Sequence, residues 1–268
     1  MFQIRKTPPL APNHPPSAIE WWERSYRTEG LAEQITRLRR ELGLALAGAE
    51  RSSRPVFLRA LGRDIDAELQ QLAGRVVFGF GEEASALVER RRILEEIIGY
   101  YSDVVVPSRR AFEFIELSDC AREAVAELSG DLRVVLRIIG EPYVLASHRL
   151  VTSLFEVAIL AASARPTDEI EVILPPCSEA VAEFRVAWPK ATTAKGTPLQ
   201  HNHDKSRFLA LAIAYALQIG GTLSRSTAAE EVLIVRIPIA THAEHNTPQN
   251  LPFDREVFDE ATAFCMAG

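Results

Sequence analysis

The residues of this chain that are able to do chemistry are few and far apart. Its one close histidine pair is His201 and His203, followed at once by Asp204. Two imidazoles at i and i+2 on a strand lie on one side and, with a carboxylate, could share a metal ion. No third ligand of that kind is near in sequence, so a polar loop with two solvated histidines is the preferred expectation. His148 opens a helical pattern and could accept a proton or a phosphate, although a surface residue at a helix start is the plainer expectation. His242 and His245 fall in a polar tail and are expected to be solvated. Cys120, Cys177 and Cys265 are widely separated, with no CxxC or CxH spacing, so neither a zinc knuckle nor a disulfide framework is supported. Cys120 falls at a helix start, where the dipole lowers a thiol pKa. With no histidine partner legible it reads as a buried small residue. Trp21 and Trp22 are expected to pack against neighbouring helices rather than bind a ligand. The chain contains no Gly-x-Ser-x-Gly, no His-Glu-x-x-His and no Walker loop. No catalytic residue, cofactor or metal is therefore expected.

The bulk numbers narrow the class. The chain has 268 residues, 47% hydrophobic and 25% charged, with a formal net charge of −6. That is the profile of a globular protein able to bury a core. The acidic balance argues against nucleic acid as a main partner, which would need a dense basic surface. The run Arg90, Arg91, Arg92 is flanked by acidic residues and reads as a solvated helix face. No apolar run approaches the roughly 18–20 residues of a membrane helix, and the N-terminus has no apolar signal core. A soluble, cytoplasmic protein is expected.

The elements that must position these residues follow from periodicity. Residues 1–17 are a proline-rich leader. Residues 18–104 are helical: a long helix over about 18–50, then a hairpin over 55–104. Leu31, Ile35, Leu38 and Leu42 form a heptad-like seam on the long helix. It could be a coiled coil or an amphipathic helix packed on its own domain. Ser52 or Ser53 could cap the hairpin's first helix, with Pro55 in its first turn. That helix, about 55–74, carries the stripe Phe57, Leu58, Leu61, Ile65, Leu69, Leu72. A glycine-punctuated turn at 74–81 leads to a helix at about 82–103, with Leu87, Leu94, Ile97, Ile98 and Tyr101 on one face. One hairpin with so wide a stripe cannot bury it alone, whereas two copies can, as a four-helix bundle. A homodimer is therefore expected. Residues 105–240 mix strands and helices, including a helix capped by Ser118, a helix over 148–164, a loop over 189–203 and a helix over 204–219 stopped by Gly220 and Gly221. Short strand joins point to a mixed sheet with helices on one face. The fold class is thus α+β, a helical hairpin followed by a two-layer α/β sandwich, with a polar tail at 241–268 that holds a short helix near 254–265.

This order resembles sensor histidine kinases, in which a dimerising helical hairpin carries the phosphoacceptor histidine and precedes an ATP-binding sandwich of the kinase, gyrase and chaperone ATPase superfamily. Three stretches carry the resemblance. "FLRALGRDIDAEL" (57–69) is similar to the phosphoacceptor helix, with Arg63 where the histidine stands and Asp64 as its acidic neighbour. "SHRLVTSLFEVAILAASA" (147–164) is similar to the helix whose asparagines hold magnesium, with Glu156 and Leu160 at the polar positions. Leucine offers no oxygen to Mg²⁺. "SRFLALAIAYALQIGGTLSRS" (206–226) is similar to the glycine-rich phosphate segment, with Phe208 and Ala210 where glycines stand and Gly220, Gly221, Thr222 kept. The adenine-binding aspartate expected after "FRVAW" is replaced by "PKATTAKG".

The resemblance therefore implies a degenerate relative in which fold is kept and phosphoryl transfer is lost. It implies a homodimeric adaptor that meets a response-regulator receiver or a sensor kinase through Arg59, Arg63, Asp64 and Asp66 on the exposed face of the 55–74 helix. A divergent kinase or a histidine phosphotransferase is the alternative, and a pocket for some other ligand, made apolar by Leu160 and Phe208, is a third.

Overall fold

A computed structural model describes residues 18–51, 55–78, 84–105, 112–130, 132–163, 169–178, 180–188, 199–226 and 231–239. The leader, Ser52 and Ser53, the expected helix near 254–265, the side chains of Trp21, Trp22 and His201, and the tail histidines lie outside what is described.

Three helices form the first layer: α1 (Ala18–Arg51), α2 (Val56–Phe78) and α3 (Ala84–Val105). Leu31, Ile35, Leu38 and Leu42 are buried, and the seam continues through Ala45 and Ala49. It lies against both other helices. The whole α2 stripe from Phe57 to Leu72 is buried, as are Leu94, Ile97, Ile98 and Tyr101 of α3. The second copy was expected to cover the hairpin's stripe, and α1 of the same chain lies against both of its helices. Burial of the stripe needs no second copy. The expected turn at 74–81 is also corrected. Val76 extends the spacing of Leu69 and Leu72 and is buried, so the helix runs on to Phe78 through Gly74. The added burial outweighs a glycine penalty of about 1 kcal/mol. Pro55 stands just before Val56 rather than inside the first turn.

The second layer is the sandwich: β1 (Glu113–Glu116), α4 (Leu117–Leu128), β2 (Arg133–Ile138), β3 (Tyr143–Ala146), α5 (His148–Ala162), β4 (Glu169–Leu174), β5 (Val181–Trp188), α6 (Leu199–Gln218), β6 (Thr222–Ser226) and β7 (Glu231–Pro238). Five strands order as β2-β4-β5-β7-β6, with β2 and β4 parallel and the other neighbours antiparallel, while β1 and β3 form a separate antiparallel ribbon. Alternate residues point one way along a strand, and Ile170, Val172 and Leu174, Phe184 and Val186, and Leu233, Val235 and Ile237 are buried on strands that pack against α5 and α6. Phe155 of α5 stacks on Phe184 of β5 with centroids 4.0 Å apart. This is the mixed, two-layer α/β arrangement expected.

Local details differ. Helix α4 starts at Leu117, with Glu116 as its N-cap, so Ser118 lies inside the helix and donates its hydroxyl to the Glu116 carboxylate. Helix α6 starts at Leu199, so 199–203 is helical rather than a loop. Helical positions two apart do not face each other, so the strand spacing that the shared-metal expectation assumed is absent from this segment. Gly220 has φ +70° and ends α6, and Gly221 N–H donates to Ala216 O at 2.8 Å. Among the described residues, no helix is long and apolar enough to cross a membrane.

Candidate functional site

Arg63, at the position compared with the phosphoacceptor, is exposed, and its guanidinium meets Glu50 of α1 at 3.2 Å. Asp66 also turns to α1, meeting Arg39 at 3.2 Å and accepting from Gln70 Nε2 at 2.8 Å. Arg59 is half-buried. Asp64 points elsewhere: Arg207 of α6 donates to it through Nε at 2.7 Å, and a terminal nitrogen lies 2.6 Å away. Of the four residues expected on one docking face, Arg63 and Asp66 therefore turn to α1 and Asp64 to α6.

Asp64 is the outer member of a charge network that joins the helical layer to the sandwich. Glu68, one turn further along α2, accepts from Arg90 of α3 and from Arg207. Asp204 of α6 accepts from Arg90 and lies 3.4 Å from Arg207. Glu68 and Asp204 each bridge both guanidiniums, so Arg90, Glu68, Arg207 and Asp204 close a ring. Arg207 is only 5% exposed. Burial raises the Glu68 carboxyl pKa, but the Arg90 hydrogen bond and the charges of Arg207 and Arg90 outweigh it and hold the group below the usual carboxylate range. Burial likewise opposes the charge on Arg207, and Glu68 and Asp64 restore it. The expectation that Arg90–Arg92 is a solvated face is corrected for Arg90. Arg91 and Arg92 do make local pairs with Glu95 and Glu89.

Beyond the ring, α6 rests on α3. Phe208, 6% exposed, meets Tyr100 edge-on at 6.4 Å, and Tyr215 meets it likewise at 6.5 Å. Tyr215 Oη lies 3.3 Å from Tyr100 O, and Gln218 donates to Val104 O at 2.5 Å. Glu156 of α5 also faces α3, accepting from Tyr100 Oη at 2.9 Å. Burial pushes the Glu156 carboxyl up, and Glu127, Glu123 and Glu96 add to the rise beyond what the Tyr100 hydrogen bond offsets. A cleft of about 550 Å³ opens here, lined in part by Tyr100, Asp103, Arg149, Ser153 and Glu156. Asp103 meets Arg149 at 3.3 Å. His148 is half-exposed at its edge, with Nδ1 3.6 Å from Glu123.

The chamber between α5, α6 and the sheet is small. It holds about 200 Å³ and is lined in part by Ala161, Trp188, Lys205, Ser206 and Leu209. Small-molecule pockets usually span roughly 300–1,000 Å³. Lys205 Nζ donates to Ala162 O at 3.3 Å. Neither Phe208 nor Leu160 lines it. Leu160 is half-buried against the core and Ala210 is buried, so the expected apolar lining comes from Trp188 and Leu209 instead. Cys120 is buried as expected, but its thiol is pushed up to about 11 by burial, with Glu123 and Asp119 adding to the rise, so a dipole effect does not prevail.

Sequence reasoning passed over Glu68 and Arg207, read Arg90 as solvated and placed Asp204 with the histidine pair, so it missed the ring. The available signal was the spacing of Asp64 and Glu68 at i, i+4 and of Asp204 and Arg207 at i, i+3, which puts each pair on one helix face. Every formal charge in the ring has an opposite neighbour. Such an arrangement can hold two layers together, and it offers no unpaired nucleophile.

No family model matches the chain, and no curated protein matches it. Solved structures are similar to it in fold. The Acinetobacter baumannii histidine kinase AdeS is 15% identical over 67% of this chain and 97% of its own, with a TM-score of 0.45. A histidine kinase from Burkholderia phymatum is 14% identical over 80% and 99%, with a TM-score of 0.36. The histidine kinase domain of the Erythrobacter litoralis blue-light activated kinase is 15% identical over 77% and 94%, with a TM-score of 0.35. The order of parts along this chain is three helices first and an α/β sandwich second.

Proposed function

We propose that this chain is a non-catalytic, cytoplasmic regulatory or adaptor module of two-component signalling that acts through protein contacts. Its partners are a second copy of itself and a response-regulator receiver or a sensor kinase. The observation that carries the reading is what occupies the positions where chemistry would be expected. Phosphoryl transfer needs an acceptor, a metal and a phosphate cradle together. Arg63, paired with Glu50, is no phosphoacceptor, and its neighbour Asp64 is held by Arg207. Leu160 has no oxygen for Mg²⁺. Phe208 lies edge-on to Tyr100 where a glycine would let phosphates approach. Pairing with a second copy is supported by the outer side of α1, where Leu44 is 71% exposed near a groove lined by Arg40, Gly43 and Ala47.

The test is incubation of the purified chain with magnesium and γ-labelled ATP, with calorimetry in parallel and light scattering for oligomeric state. The expected result is no heat of nucleotide binding, no acid-labile phosphate and a dimeric mass. Tight Mg·ATP binding would refute the non-catalytic reading. Acid-labile phosphate on the chain, from ATP or from a phosphorylated receiver, would support a divergent kinase or a histidine phosphotransferase instead.

A further inference from the structure

The β1–β3 ribbon buries one side and turns the other to water. Ile115 and Val144, opposite each other across it, are buried. Phe112, just ahead of β1, Phe114 and Tyr143 are 54%, 56% and 55% exposed. Three large rings left half in water on one short ribbon make the kind of apolar patch that marks an interaction surface. Phe112 and Phe114 are two positions apart and so share the outer side. Tyr143 is paired with Glu116 and is therefore diagonal to Phe114. Neighbouring rings in this band are spaced about 7 Å apart. The Tyr143 end is acidic. Its hydroxyl donates to Glu116 at 3.0 Å, and the charges of Glu116, Glu141 and Asp119 all bear on it. Asp119 is answered by Arg122 at 2.7 Å, which leaves Glu116 and Glu141 to meet an incoming cation.

A band of rings that ends in carboxylates fits an extended proline-rich segment with a cation ahead of its prolines. The leader of this chain has that order. Lys6, Pro9, Pro12 and Pro15 recur every three residues, and residues 1–17 contain no Asp or Glu. A polyproline helix has three residues per turn, so these four side chains would share one edge, with a repeat of about 9 Å. The leader does not reach the ribbon of its own chain. Helix α1 has 34 residues and is about 50 Å long. A methyl on Gly48, near its C-terminal end, would lie 3.9 Å from Val105 Cγ1 at the end of α3. The ribbon belongs to that end as well, because β3 leads into α5, whose Arg149 meets Asp103 of α3. The leader precedes Ala18 at the opposite end, and Pro12 extends at most roughly 20 Å from there.

We propose that the leader of one copy docks on the β1–β3 ribbon of a second copy, with Lys6 at Glu116 and Glu141 and with Pro9, Pro12 and Pro15 against the band from Tyr143 through Phe114 to Phe112. The contact does not rest on the adaptor reading, since it involves no phosphate chemistry. It is also separate from the α1 pairing suggested above.

The test uses the full chain with the photo-crosslinker benzoylphenylalanine in place of Leu10. Equal amounts of unlabelled chain and chain labelled with heavy nitrogen are mixed and irradiated, and the cross-links are mapped by mass spectrometry. The expected cross-links run from position 10 to residues 112–116 or 143–146, and many of them join a light chain to a heavy one. Pro9→Ala with Pro12→Ala, which leaves the folded part untouched, should lower their yield at least fivefold, and so should Phe112→Ser with Phe114→Ser, the scale of loss that removing binding anchors brings. Lys6→Glu should lower it too, and Glu141→Lys added to Lys6→Glu should restore it. Cross-links that fall elsewhere on the chain, or that join only light to light and heavy to heavy, would overturn the proposal. A yield unchanged in both the proline and the phenylalanine variants would do the same. A dimeric mass that persists without these cross-links would leave the α1 pairing standing and remove the leader contact alone.

Discussion

Gly62 sits on α2 immediately before Arg63, between Leu46 of α1 and Tyr101 of α3. A methyl group there would collide with Leu46 Cδ1 of α1 and would lie 2.5 Å from Tyr101 Oη and 2.8 Å from Tyr101 Cζ of α3. Two effects of Gly62→Ala oppose each other. Alanine favours a helix interior over glycine by about 1 kcal/mol. Overpacking a close-packed core costs about 1–3 kcal/mol. Leu46 can yield, since it is only partly buried, but the Tyr101 ring is fully buried and its hydroxyl has no hydrogen-bond partner. The cost wins, and Gly62→Ala should destabilise the chain by up to about 2 kcal/mol. In a Leu46→Ala, Tyr101→Phe background the contacts with Leu46 Cδ1 and Tyr101 Oη are gone and only the ring contact at Cζ remains, so the same substitution should cost less. Chemical denaturation of the four proteins of this cycle measures the difference. A two-hairpin bundle without α1 would have no Leu46 at this place. An equal effect of Gly62→Ala in both backgrounds would therefore refute the seat assigned to α1.

Two further outcomes are expected. Gly221→Ala should destabilise by about 1–3 kcal/mol, because its methyl would lie 2.6 Å from the backbone Arg236 O, and thermal melts should show it. Arg207→Met should cost about 3 kcal/mol in chemical denaturation, the low end for breaking a buried ion pair. Asp64, 42% exposed, rehydrates, and Arg90 stays paired with Glu68 and Asp204, which leaves one carboxylate charge of the ring uncompensated.

The elements were legible where one periodicity governs them. The α1 seam, the α2 stripe and the inward residues of β4, β5 and β7 each follow from a spacing that places apolar groups on one side. What fills a stripe is not local. Leu61 and Ile65 announce that they must be buried, and nothing near them says whether α1 or a second copy does it. Helix ends were misjudged where a punctuating residue was given more weight than the burial beyond it, as at Gly74 before Val76. The ring was illegible because its partners, Asp64 and Arg207, are 143 residues apart, and an arginine in "KSRFLAL" has no local mark of inward aim. The chemical positions were read by type alone. That raised the expectation that Arg63, Leu160 and Phe208 do not serve phosphoryl transfer, and it said nothing of what they touch instead.

The joint between the layers carries two carboxyls displaced in opposite directions, and this makes its stability peak within a window of pH. Glu156 is raised above the ordinary value of 4.5 by burial and by Glu127, Glu123 and Glu96. The folded chain therefore holds this proton where the unfolded chain has lost it, and stability falls as pH rises through the raised pKa. Glu68 is lowered below 4.5 by Arg90 and Arg207, which overcome its burial, with Asp204 and Asp64 as the acidic neighbours in the same network. Its contribution is present above 4.5 and is lost as pH falls through the lower, folded value. Acidifying from neutral pH should first strengthen the joint, as Glu156 protonates, and then weaken it below 4.5, as Glu68 does. Glu156→Gln keeps an acceptor for Tyr100 Oη and should flatten the neutral limb alone, stabilising the chain above the raised pKa and changing little below 4.5. Glu68→Gln should flatten the acid limb alone, at a lower overall stability. Denaturation free energies measured across the acid-to-neutral range would show both limbs. A monotonic profile in the unaltered chain, or limbs that survive in their respective variants, would mean that these carboxyls do not govern the joint.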